Sequence, residues 1–489
     1  MHNPEKLALL TDLYELTMMQ GYHLNKKNDT AVFDMFFRKQ PFDGGFAIFS
    51  GLAPLIDAIA NLSFYDDDIS YLNSLNIFSD EFLHDLKSFR FTGDIYATPE
   101  GSVVFPNEPL LRVHGSLLET QLIESMVLNF LNFQTLIATK AMRIFLISNG
   151  GKILEFGLRR AQGLDGALSA SRASIIGGAA ATSNVLAGKI YDIPVSGTMA
   201  HSWIMSFNNE LDAFRAYADM YPNNCVLLVD TYDTLNSGVP NSIKIFHDLK
   251  KKGYKNFGIR LDSGDLEYLS KKARKALDDN NLEEVKIFAS NELDEWIINQ
   301  LNKDGAPIDA WGVGTKLVTA DTDPALSGVY KIAAKKQDTE YEPCIKLTNN
   351  PAKTSNPGIK NIMRFFDEND NMIADLVYLV EEEDELLSKI KTHSKIRFNH
   401  PSIELSFFEL ADYSYTKKLL QPVLIHGAKT LKTRSLFDIQ KYAIHELDKL
   451  DKTYKRLLNP HIYKISLSDN LKKLKNDLIE KKDLKVNEH

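Results

Sequence analysis

The chain has 489 residues, of which 44% are hydrophobic and 25% are charged. This composition is typical of a globular protein of about three domains, and it excludes collagen, coiled coils and wholesale disorder. The net charge of −8 argues against non-specific nucleic-acid binding. The two cysteines, Cys225 and Cys344, exclude a disulfide framework and a four-cysteine zinc site.

The sequence predicts a soluble protein whose first part contains a β-rich segment. No signal-peptide core follows Met1, and the longest uncharged run, residues 173–188, is too short and too polar to span a membrane. We therefore expect a cytoplasmic protein without a membrane partner. Residues 91–115 contain short apolar runs separated by glycine and proline, which predicts short strands.

The middle of the chain alternates short, apolar, β-branched runs with helical segments. The six runs are residues 153–156, 193–195, 226–229, 257–261, 285–289 and 310–313. From the third run onward, the starting points are spaced by one βα unit. Such alternation predicts a parallel sheet covered by helices. No Gly-x-Gly-x-x-Gly sequence follows any run, so a (β/α) barrel is favoured over a dinucleotide-binding fold.

The segments after the barrel predict a further β-rich part and a helical end. Residues 361–366 and 372–380 flank an acidic turn, which predicts a β-hairpin. Leucines at helical spacing predict an amphipathic packing helix, and they are Leu467, Leu471, Leu474 and Leu478. The expected division is a mixed domain of residues 1–120 completed by 335–400, a barrel domain of 121–334, and a helical region of 401–489.

Polar residues follow every predicted strand of the barrel. In chain order they are Arg159 and Arg160, Thr198 and His201, Asp230 and Asp233, Asp262 and Asp265, Glu292, and finally Thr315 and Lys316. The carboxyl ends of parallel strands in a barrel meet at one mouth, and active sites form there. The sequence therefore predicts a functional site at these strand ends.

The residue types at this mouth indicate the kind of ligand. Arg159, Arg260 and Lys316 suit carboxylate and phosphate groups. Gly314 and Thr315 would let backbone N–H groups approach a phosphate. The aspartates can accept ribose hydroxyls or help to hold magnesium. The pattern predicts a site for a phosphorylated sugar with a divalent cation, but it does not name the reaction.

His201 is a candidate nucleophile. A carboxylate partner would fix its tautomer and increase the basicity of one ring nitrogen, although a purely structural role fits the sequence equally well. The chain contains no HExxH sequence, no paired CxxC and no Gly-x-Ser-x-Gly. Zinc proteases, zinc ribbons and α/β-hydrolases therefore find no support.

Five segments, in order, resemble the nicotinate phosphoribosyltransferase family. They are residues 11–18, 155–163, 197–202, 260–265 and 312–315. The resemblance implies an α/β protein with an incomplete barrel of the type II phosphoribosyltransferase kind, a β-rich α+β second domain and a homodimeric state. It also implies condensation of nicotinate with 5-phosphoribosyl 1-pyrophosphate to nicotinate mononucleotide and pyrophosphate in NAD salvage, with ATP as co-substrate and Mg²⁺ as cofactor.

The resemblance further implies roles for individual residues. His201 matches the histidine that ATP phosphorylates, and Asp230 would lie near it. The nicotinate contacts match Tyr14, Thr198, Arg260 and Arg159, and the phosphoribosyl pyrophosphate contacts match Asp262, Gly314 and Thr315. Tyr14 matches a tyrosine that reaches across the dimer to the base bound in the partner's barrel. The resemblance identifies no protein ligand for magnesium.

Other functions stay open at this point. A nicotinamide phosphoribosyltransferase would be expected to carry a carboxylate for the amide group before the catalytic histidine, and residues 170–191 contain neither aspartate nor glutamate. A non-catalytic ligand-binding barrel would not need His201 or the aspartate-rich loops. A barrel isomerase or oxidoreductase would fit the arginines and the phosphate loop, but no flavin or nicotinamide motif is present.

Overall fold

The computed structural model describes residues 6–25, 29–337, 339–346 and 354–487, the last six of them by backbone alone. Residues 1–5, with which the expectation about a signal peptide begins, lie outside the described residues. The chain forms two compact units. Unit 1 contains Met1–Thr135 and Ala325–His489, and unit 2 contains Leu136–Pro324. One of the two boundaries falls within a long helix, Glu124–Ile147.

The strands and helices are numbered in chain order. The strands are β1 (Thr30–Phe37), β2 (Ala47–Ile48), β3 (Asp94–Ala97), β4 (Val103–Val104), β5 (Leu111–Ser116), β6 (Lys152–Glu155), β7 (Ala181–Thr182), β8 (Cys225–Leu228), β9 (Phe257–Leu261), β10 (Lys286–Asn291), β11 (Ala310–Val313), β12 (Gly328–Gln337), β13 (Glu340–Pro343), β14 (Lys360–Phe366), β15 (Met372–Leu379), β16 (Ile396–Asn399), β17 (Phe407–Leu410), β18 (Tyr415–Lys418), β19 (Gln421–Ile425), β20 (Ala428–Lys429) and β21 (Ile465–Leu467). The helices are α1 (Leu13–Leu24), α2 (Leu52–Ala60), α3 (Asp66–Ser74), α4 (Asp80–Leu86), α5 (Leu117–Leu122), α6 (Glu124–Ile147), α7 (Gly163–Ile176), α8 (Val185–Tyr191), α9 (His201–Met205), α10 (Glu210–Met220), α11 (Val239–Lys251), α12 (Leu266–Asp278), α13 (Glu295–Lys303), α14 (Thr315–Val318), α15 (Glu383–Lys391), α16 (Leu436–Asp448) and α17 (Asp469–Asn487).

Unit 2 is built on one sheet in which every neighbouring pair of strands is parallel. The strand order is β7-β6-β11-β10-β9-β8. Helices α11, α12 and α13 connect β8 to β9, β9 to β10, and β10 to β11, as repeated βα units require. Strands β7 and β8 are the two edges of the sheet, so it forms a half-barrel that does not close. The predicted incomplete (β/α) barrel is confirmed.

Five of the six predicted barrel strands are present as β6, β8, β9, β10 and β11. The predicted strand at residues 193–195 is wrong, because only an isolated bridge joins Val195 to Thr182. Pro194 has no N–H group to extend a ladder, and Asp192 has a left-handed backbone with φ of 52°. The edge strand is instead β7, which is too short to be recognised from its sequence.

The strands of unit 2 read as continuous apolar runs because they are buried on both faces. All four residues of β8 and all four of β11 are buried. Helix α11 covers the sheet through residues such as Phe246, whose ring stacks on that of Phe257 in β9 with the centroids 5.3 Å apart. This packing fixes the strands and therefore the loops that leave their carboxyl ends.

Unit 1 is rich in antiparallel strands. A seven-stranded sheet has the order β13-β12-β1-β5-β3-β19-β20, a six-stranded sheet has the order β17-β16-β21-β15-β14-β18, and β2 pairs with β4. The strands predicted within residues 91–115 are present as β3, β4 and β5. The predicted hairpin is confirmed, because β14 and β15 pair in antiparallel fashion.

The division of the chain differs from the expected one in two respects. The segment after the barrel belongs to unit 1 as a whole, and residues 401–489, expected to be helical, also contain β17 to β21. Three of these strands pair with segments distant in the sequence: β18 with β14, β19 with β3, and β21 with β15 and β16. The edge strands β17 and β20 pair with the preceding strands, β16 and β19. All five are too short for a periodicity in the sequence to reveal them. Leu467 ends β21, whereas Leu471 and Leu474 lie on the predicted helix, α17.

Helix α6 is, in the described part of the chain, the one helix long and apolar enough to cross a membrane by length and composition. Its most apolar window is 67% buried inside the structure. Burial of this kind is common for the core helix of a globular protein, which satisfies the same length and composition test.

A fully buried charge cluster stabilises the second sheet of unit 1. The Arg364 guanidinium donates to the Asp375 carboxylate, with an Nη2 to Oδ2 distance of 2.6 Å, and Tyr463 donates to the same carboxylate. Burial, together with the negative charge of Asp375, raises the pKa of the nearby Glu108 carboxyl group well above its ordinary value of 4.5. The folded state therefore favours the protonated form of Glu108.

This assignment predicts the pH dependence of stability. A carboxyl group with a raised pKa in the folded state stabilises the fold at low pH, and that stabilisation is lost as the pH rises towards the folded-state pKa. The free energy of unfolding of the wild type should therefore fall as the pH rises above the unfolded-state pKa of the group, and Glu108→Gln should remove this contribution, which is at most about 1.4 kcal/mol per pH unit. Urea unfolding between pH 5 and 8 measures it, with Glu368→Gln as the control for loss of an exposed carboxyl group. Parallel pH profiles of wild type and Glu108→Gln would contradict the assignment.

Candidate active site at the strand ends of unit 2

The predicted site residues of unit 2 lie at the carboxyl ends of its strands or in the loops that follow. Asp230 follows β8, Asp262 follows β9, and Gly314 and Thr315 follow β11. His201 is the first residue of α9, in the loop region between β7 and β8. The parallel sheet thus brings residues from different βα units to one edge, as the sequence predicted.

Two aspartates connect the ends of β8, β9 and β10. The Asp230 Oδ2 atom accepts hydrogen bonds from the Asp262 backbone N–H at 2.8 Å and from the Ser263 hydroxyl at 2.7 Å. The Asp262 Oδ1 atom accepts the hydroxyl of Ser290, which lies in β10. Asp230 therefore fixes the backbone of Asp262, and Ser290 orients its side chain.

His201 lies beside this aspartate pair. Its Nδ1 atom is 3.1 Å from the Thr231 hydroxyl oxygen, and its Nε2 atom is 3.7 Å from Asp262 Oδ2. Asp230, expected near the histidine, holds the backbone of Asp262, and the Asp262 carboxylate is the one that lies beside His201. The histidine side chain is 39% exposed, so a ligand at the sheet edge can reach the ring.

Arg260 and Thr198, both predicted to contact the same ligand, are in contact with each other. The guanidinium donates from Nη1 to the Thr198 hydroxyl at 2.7 Å and from Nη2 to the Met199 carbonyl at 3.0 Å. Burial lowers the pKa of Arg260, an effect that the negative charges of Asp262 and Asp230 oppose and the positive charge of Arg159 reinforces. Arg260 and Arg159 are therefore close enough to affect each other, beside the two carboxylates.

Arg159 is exposed and belongs to a single 3₁₀ turn, Leu158–Arg160, which we call the arginine turn. Gly157 begins this turn, since its carbonyl accepts the N–H groups of Arg160 at 2.8 Å and Ala161 at 3.1 Å. Its own N–H donates to the Glu155 carboxylate. The turn thus leaves Arg159 exposed, while Glu155 holds the backbone at Gly157.

The segment Val313–Lys316, which we call the phosphate loop, contains Gly314 and Thr315. A Cβ atom at Gly314 would lie 3.3 Å from the Phe156 carbonyl oxygen, so the glycine permits close packing. The Thr315 hydroxyl donates to Glu292 at 3.2 Å. Lys316, predicted as an anion-binding cation, is paired with Asp321 at 2.9 Å and lies 3.8 Å from Asp294. Its charge is therefore compensated within the protein.

Tyr14 belongs to unit 1, where it is the second residue of α1. Its side chain is 48% exposed. Partial burial raises the pKa of its hydroxyl, and the nearby Glu124 and Glu15 raise it further, so the phenol stays neutral at physiological pH. An exposed, neutral aromatic ring is suited to stacking on a flat ligand.

The sequence reasoning assigned no role to three residues that position this site: Glu155, Thr231 and Ser290. Each of these side chains acts through another residue, so neither a motif nor a spacing singles it out. Glu155 offered one signal, because it is a charged residue between the apolar residues Leu154 and Phe156 of the predicted strand.

The site's fit to a divalent cation can be judged from its donor atoms. Among the residues that the structure describes, no group of three or more His, Cys, Asp and Glu side chains could hold a metal ion by itself. The Asp230 Oδ1 atom, however, is buried and has no hydrogen-bond partner. A carboxylate oxygen in this state suits Mg²⁺, which prefers oxygen ligands and retains several waters.

Comparison with known proteins identifies relatives along the whole chain. Residues 9–132, 151–382 and 359–475 match the nicotinate phosphoribosyltransferase N-terminal domain, the nicotinate phosphoribosyltransferase family and the corresponding C-terminal domain. The Bacillus subtilis protein called nicotinate phosphoribosyltransferase is 41% identical over 95% of this chain and 94% of its own length. The Homo sapiens protein of that name is 33% identical over 96% of each chain.

Solved structures are similar as well. The crystal structure of human nicotinic acid phosphoribosyltransferase matches 96% of this chain and 100% of its own, with a TM-score of 0.82 and 30% identity. A Pyrococcus furiosus nicotinate-nucleotide pyrophosphorylase matches 92% of this chain and 97% of its own, with a TM-score of 0.69 and 19% identity, which indicates a shared fold only.

The close packing of Gly157 against α14 predicts that a larger residue at this position lowers stability. A Cβ atom at Gly157 would lie 2.2 Å from Val318 Cγ1 in α14, so Gly157→Ala should lower the free energy of unfolding of unit 2 by about 1–3 kcal/mol. Gly166→Ala is the matched control, because nothing lies within 4 Å of its added Cβ and alanine favours the helix α7. Urea unfolding measures both variants. Equal effects of the two substitutions would contradict the proposed close contact.

Proposed function

Because this chain belongs to the nicotinate phosphoribosyltransferase family, we propose that it condenses nicotinate with 5-phosphoribosyl 1-pyrophosphate, coupled to ATP hydrolysis. The products are nicotinate mononucleotide and pyrophosphate, and the reaction serves NAD salvage. The observation that carries the proposal is the juxtaposition of Arg260 and Thr198 with Asp262 and His201 at one edge of a parallel half-barrel. Mg²⁺, a homodimer and a cytoplasmic location belong to the same proposal.

In this proposal, the nicotinate carboxylate is bound by Arg260, with Arg159 nearby. Arg260 supplies a charged donor whose orientation is fixed by Thr198 and the Met199 carbonyl. Arg159 adds positive charge close to Arg260, and Tyr14 would stack on the pyridine ring. Charge-assisted hydrogen bonds from arginine are strong and directional, so they hold the ring nitrogen in a defined position.

The phosphoribosyl group would be held between Asp262 and the phosphate loop. Asp262, oriented by Ser290 and Asp230, accepts ribose hydroxyls, and the backbone at Gly314 and Thr315 receives the 5-phosphate. Mg²⁺, held by Asp230 together with substrate oxygens and water, would neutralise charge on the departing pyrophosphate. This neutralisation is needed because the anomeric C–O bond breaks as negative charge accumulates on the leaving group.

The chemical step then depends mainly on positioning and electrostatics. The bond from the anomeric carbon to pyrophosphate breaks, and the pyridine nitrogen forms a C–N bond on the opposite face of the sugar. Asp262 stabilises the positive charge that develops on the ribose ring, and the fixed arginines keep the nitrogen within attacking distance. His201 would accept the γ-phosphoryl group of ATP, with ADP as the leaving group.

The nicotinamide alternative is less favoured. An amide NH₂ group requires an acceptor, such as a carboxylate, close to the bound base. Residues 170–191 contain no aspartate or glutamate, and Arg260 and Arg159 together favour an anion. A non-catalytic barrel is also less favoured, because a binding protein has no need for a histidine oriented between Thr231 and Asp262.

The proposal predicts selectivity for the acid. In an assay with phosphoribosyl pyrophosphate, Mg²⁺ and ATP, nicotinate should exceed nicotinamide in kcat/KM by roughly 10²-fold or more, since only the acid offers Arg260 a carboxylate. Arg260→Ala should lower kcat/KM for nicotinate by roughly 10²-fold. Arg215→Ala, which removes an exposed arginine from α10, is the control and should behave as the wild type. Equal use of the two bases, or an active Arg260→Ala enzyme, would reject the assignment.

The proposal also predicts that two chains share each active site. Tyr14 would serve the partner's site, so a two-fold dimer makes the exchange reciprocal. Tyr14→Ala and His201→Ala chains should each be nearly inactive, but mixing them under conditions of subunit exchange should restore activity. Random exchange makes about half of the dimers mixed, and roughly a quarter of all sites then contain both intact residues.

Native mass spectrometry verifies that the subunits have exchanged. The control is a mixture of each variant with itself under the same conditions, which should stay inactive. If exchange is complete and activity does not recover, Tyr14 acts within its own chain and the shared site is rejected.

A further inference from the structure

Glu155 is a fully buried carboxylate that the proposed reaction does not use. It ends β6, and its exposed fraction is 0%. Both carboxylate oxygens accept hydrogen bonds, Oε1 from the Gly157 N–H and Oε2 from the hydroxyls of Ser171 and Thr182. Among the described residues it forms no ion pair. Burial of a carboxylate without a cation is costly, so this arrangement requires all three donors.

The donors belong to three different elements. Gly157 precedes the arginine turn, Ser171 lies on α7, and Thr182 lies on the edge strand β7. A second layer supports them, since the Asn184 N–H donates to the Thr182 hydroxyl at 3.0 Å and its side-chain amide donates to Ser171 at 3.3 Å. One carboxylate therefore connects the end of β6 to its flanking helix and to the edge of the sheet.

Gly157 links this carboxylate to both sides of the active site. Its carbonyl accepts hydrogen bonds from the backbone N–H groups of Arg160 and Ala161 and so anchors the arginine turn. Its Cα side faces α14, where a Cβ atom would meet Val318. The preceding Phe156 carbonyl lies against Gly314 of the phosphate loop. Phe156 and Gly157 thus connect the arginine turn to the phosphate loop.

We propose that Glu155 is a positioning residue that holds the arginine turn against the phosphate loop. This inference rests on the proposed function, because it assumes that nicotinate binds near Arg159 and the ribose 5-phosphate near Gly314. The pyridine nitrogen and the anomeric carbon must be held in line at close range. A displacement of about 1 Å lowers the rate of such a reaction by roughly 10²-fold.

The role can be tested by separating two partial activities. His201 lies beside Thr231 and Asp262, which follow β8 and β9, so its phosphorylation should depend less on the arginine turn than condensation does. Glu155→Ala should lower kcat/KM for nicotinate by roughly 10²-fold. The same variant should retain acid-labile labelling of His201 from γ-labelled ATP at nearly the wild-type level. A His201→Ala chain supplies the background for the labelling.

Conservative variants distinguish hydrogen bonding from charge and from folding. Glu155→Gln should recover most of the activity, because the amide oxygen can accept the Gly157 N–H while the Ser171 and Thr182 hydroxyls turn to accept from the NH₂ group. If Glu155→Ala does not fold, Thr182→Val should show the same selective loss of condensation in milder form, and Thr182→Ser should restore it. Glu210→Ala removes another buried carboxylate, which binds Ser237 and Asn241, and should leave the ratio of the two activities unchanged.

The outcomes are distinguishable. Failure of the wild type to form nicotinate mononucleotide would reject the proposed function. With an active wild type, normal kinetics of Glu155→Ala would overturn the positioning role. A parallel loss of labelling and condensation per folded molecule would overturn it too, as would Glu155→Gln being as defective as Glu155→Ala.

Discussion

Parallel pairing of the strands in unit 2 is the constraint on which the candidate site depends. In a parallel sheet all strands point the same way, so every strand delivers its following loop to the same edge. Residues that are far apart in the sequence, such as Asp230, Asp262 and Gly314, are brought to that edge by this geometry alone. The strands can be continuous apolar runs because helices cover them, and the polar chemistry is confined to their ends.

Within the site, most charged groups are held by neighbouring donors and acceptors before any ligand is bound. The Asp230 carboxylate accepts the backbone N–H of Asp262, and the Arg260 guanidinium donates to Thr198 and to the Met199 carbonyl. A preorganised site does not need to reorient its dipoles when charge develops in the transition state. This saving accounts for much of the rate enhancement of such sites. A phosphoribosyl transfer has little covalent chemistry for the protein to perform, so this preorganisation is the appropriate solution.

The sheets of unit 1 are assembled from two parts of the sequence, one before and one after the barrel. Strand β1 pairs with β12 on one side and β5 on the other, and β3 pairs with β19. Buried ion pairs also hold unit 1 together: Lys360 of β14 contacts Asp34 of β1 at 2.8 Å, and Arg364 contacts Asp375 across the β14–β15 hairpin at 2.6 Å. Loss of one partner of such a pair leaves a buried, unpaired charge and strongly destabilises the fold, so these pairs favour one register of the strands over others.

The sequence alone determined the fold class, five of the six barrel strands and the family to which the chain belongs. These features are local: the strands are continuous apolar runs, and residues such as Arg260 and Asp262 stand together in short recognisable segments. The tertiary structure decided what pairs at a distance, including the edge strand β7, the strands of residues 401–489 and the carboxylate network of Glu155. Two-residue strands and hydrogen bonds between separate elements leave no periodicity in the sequence, because their partners are chosen by packing and not by neighbouring residues.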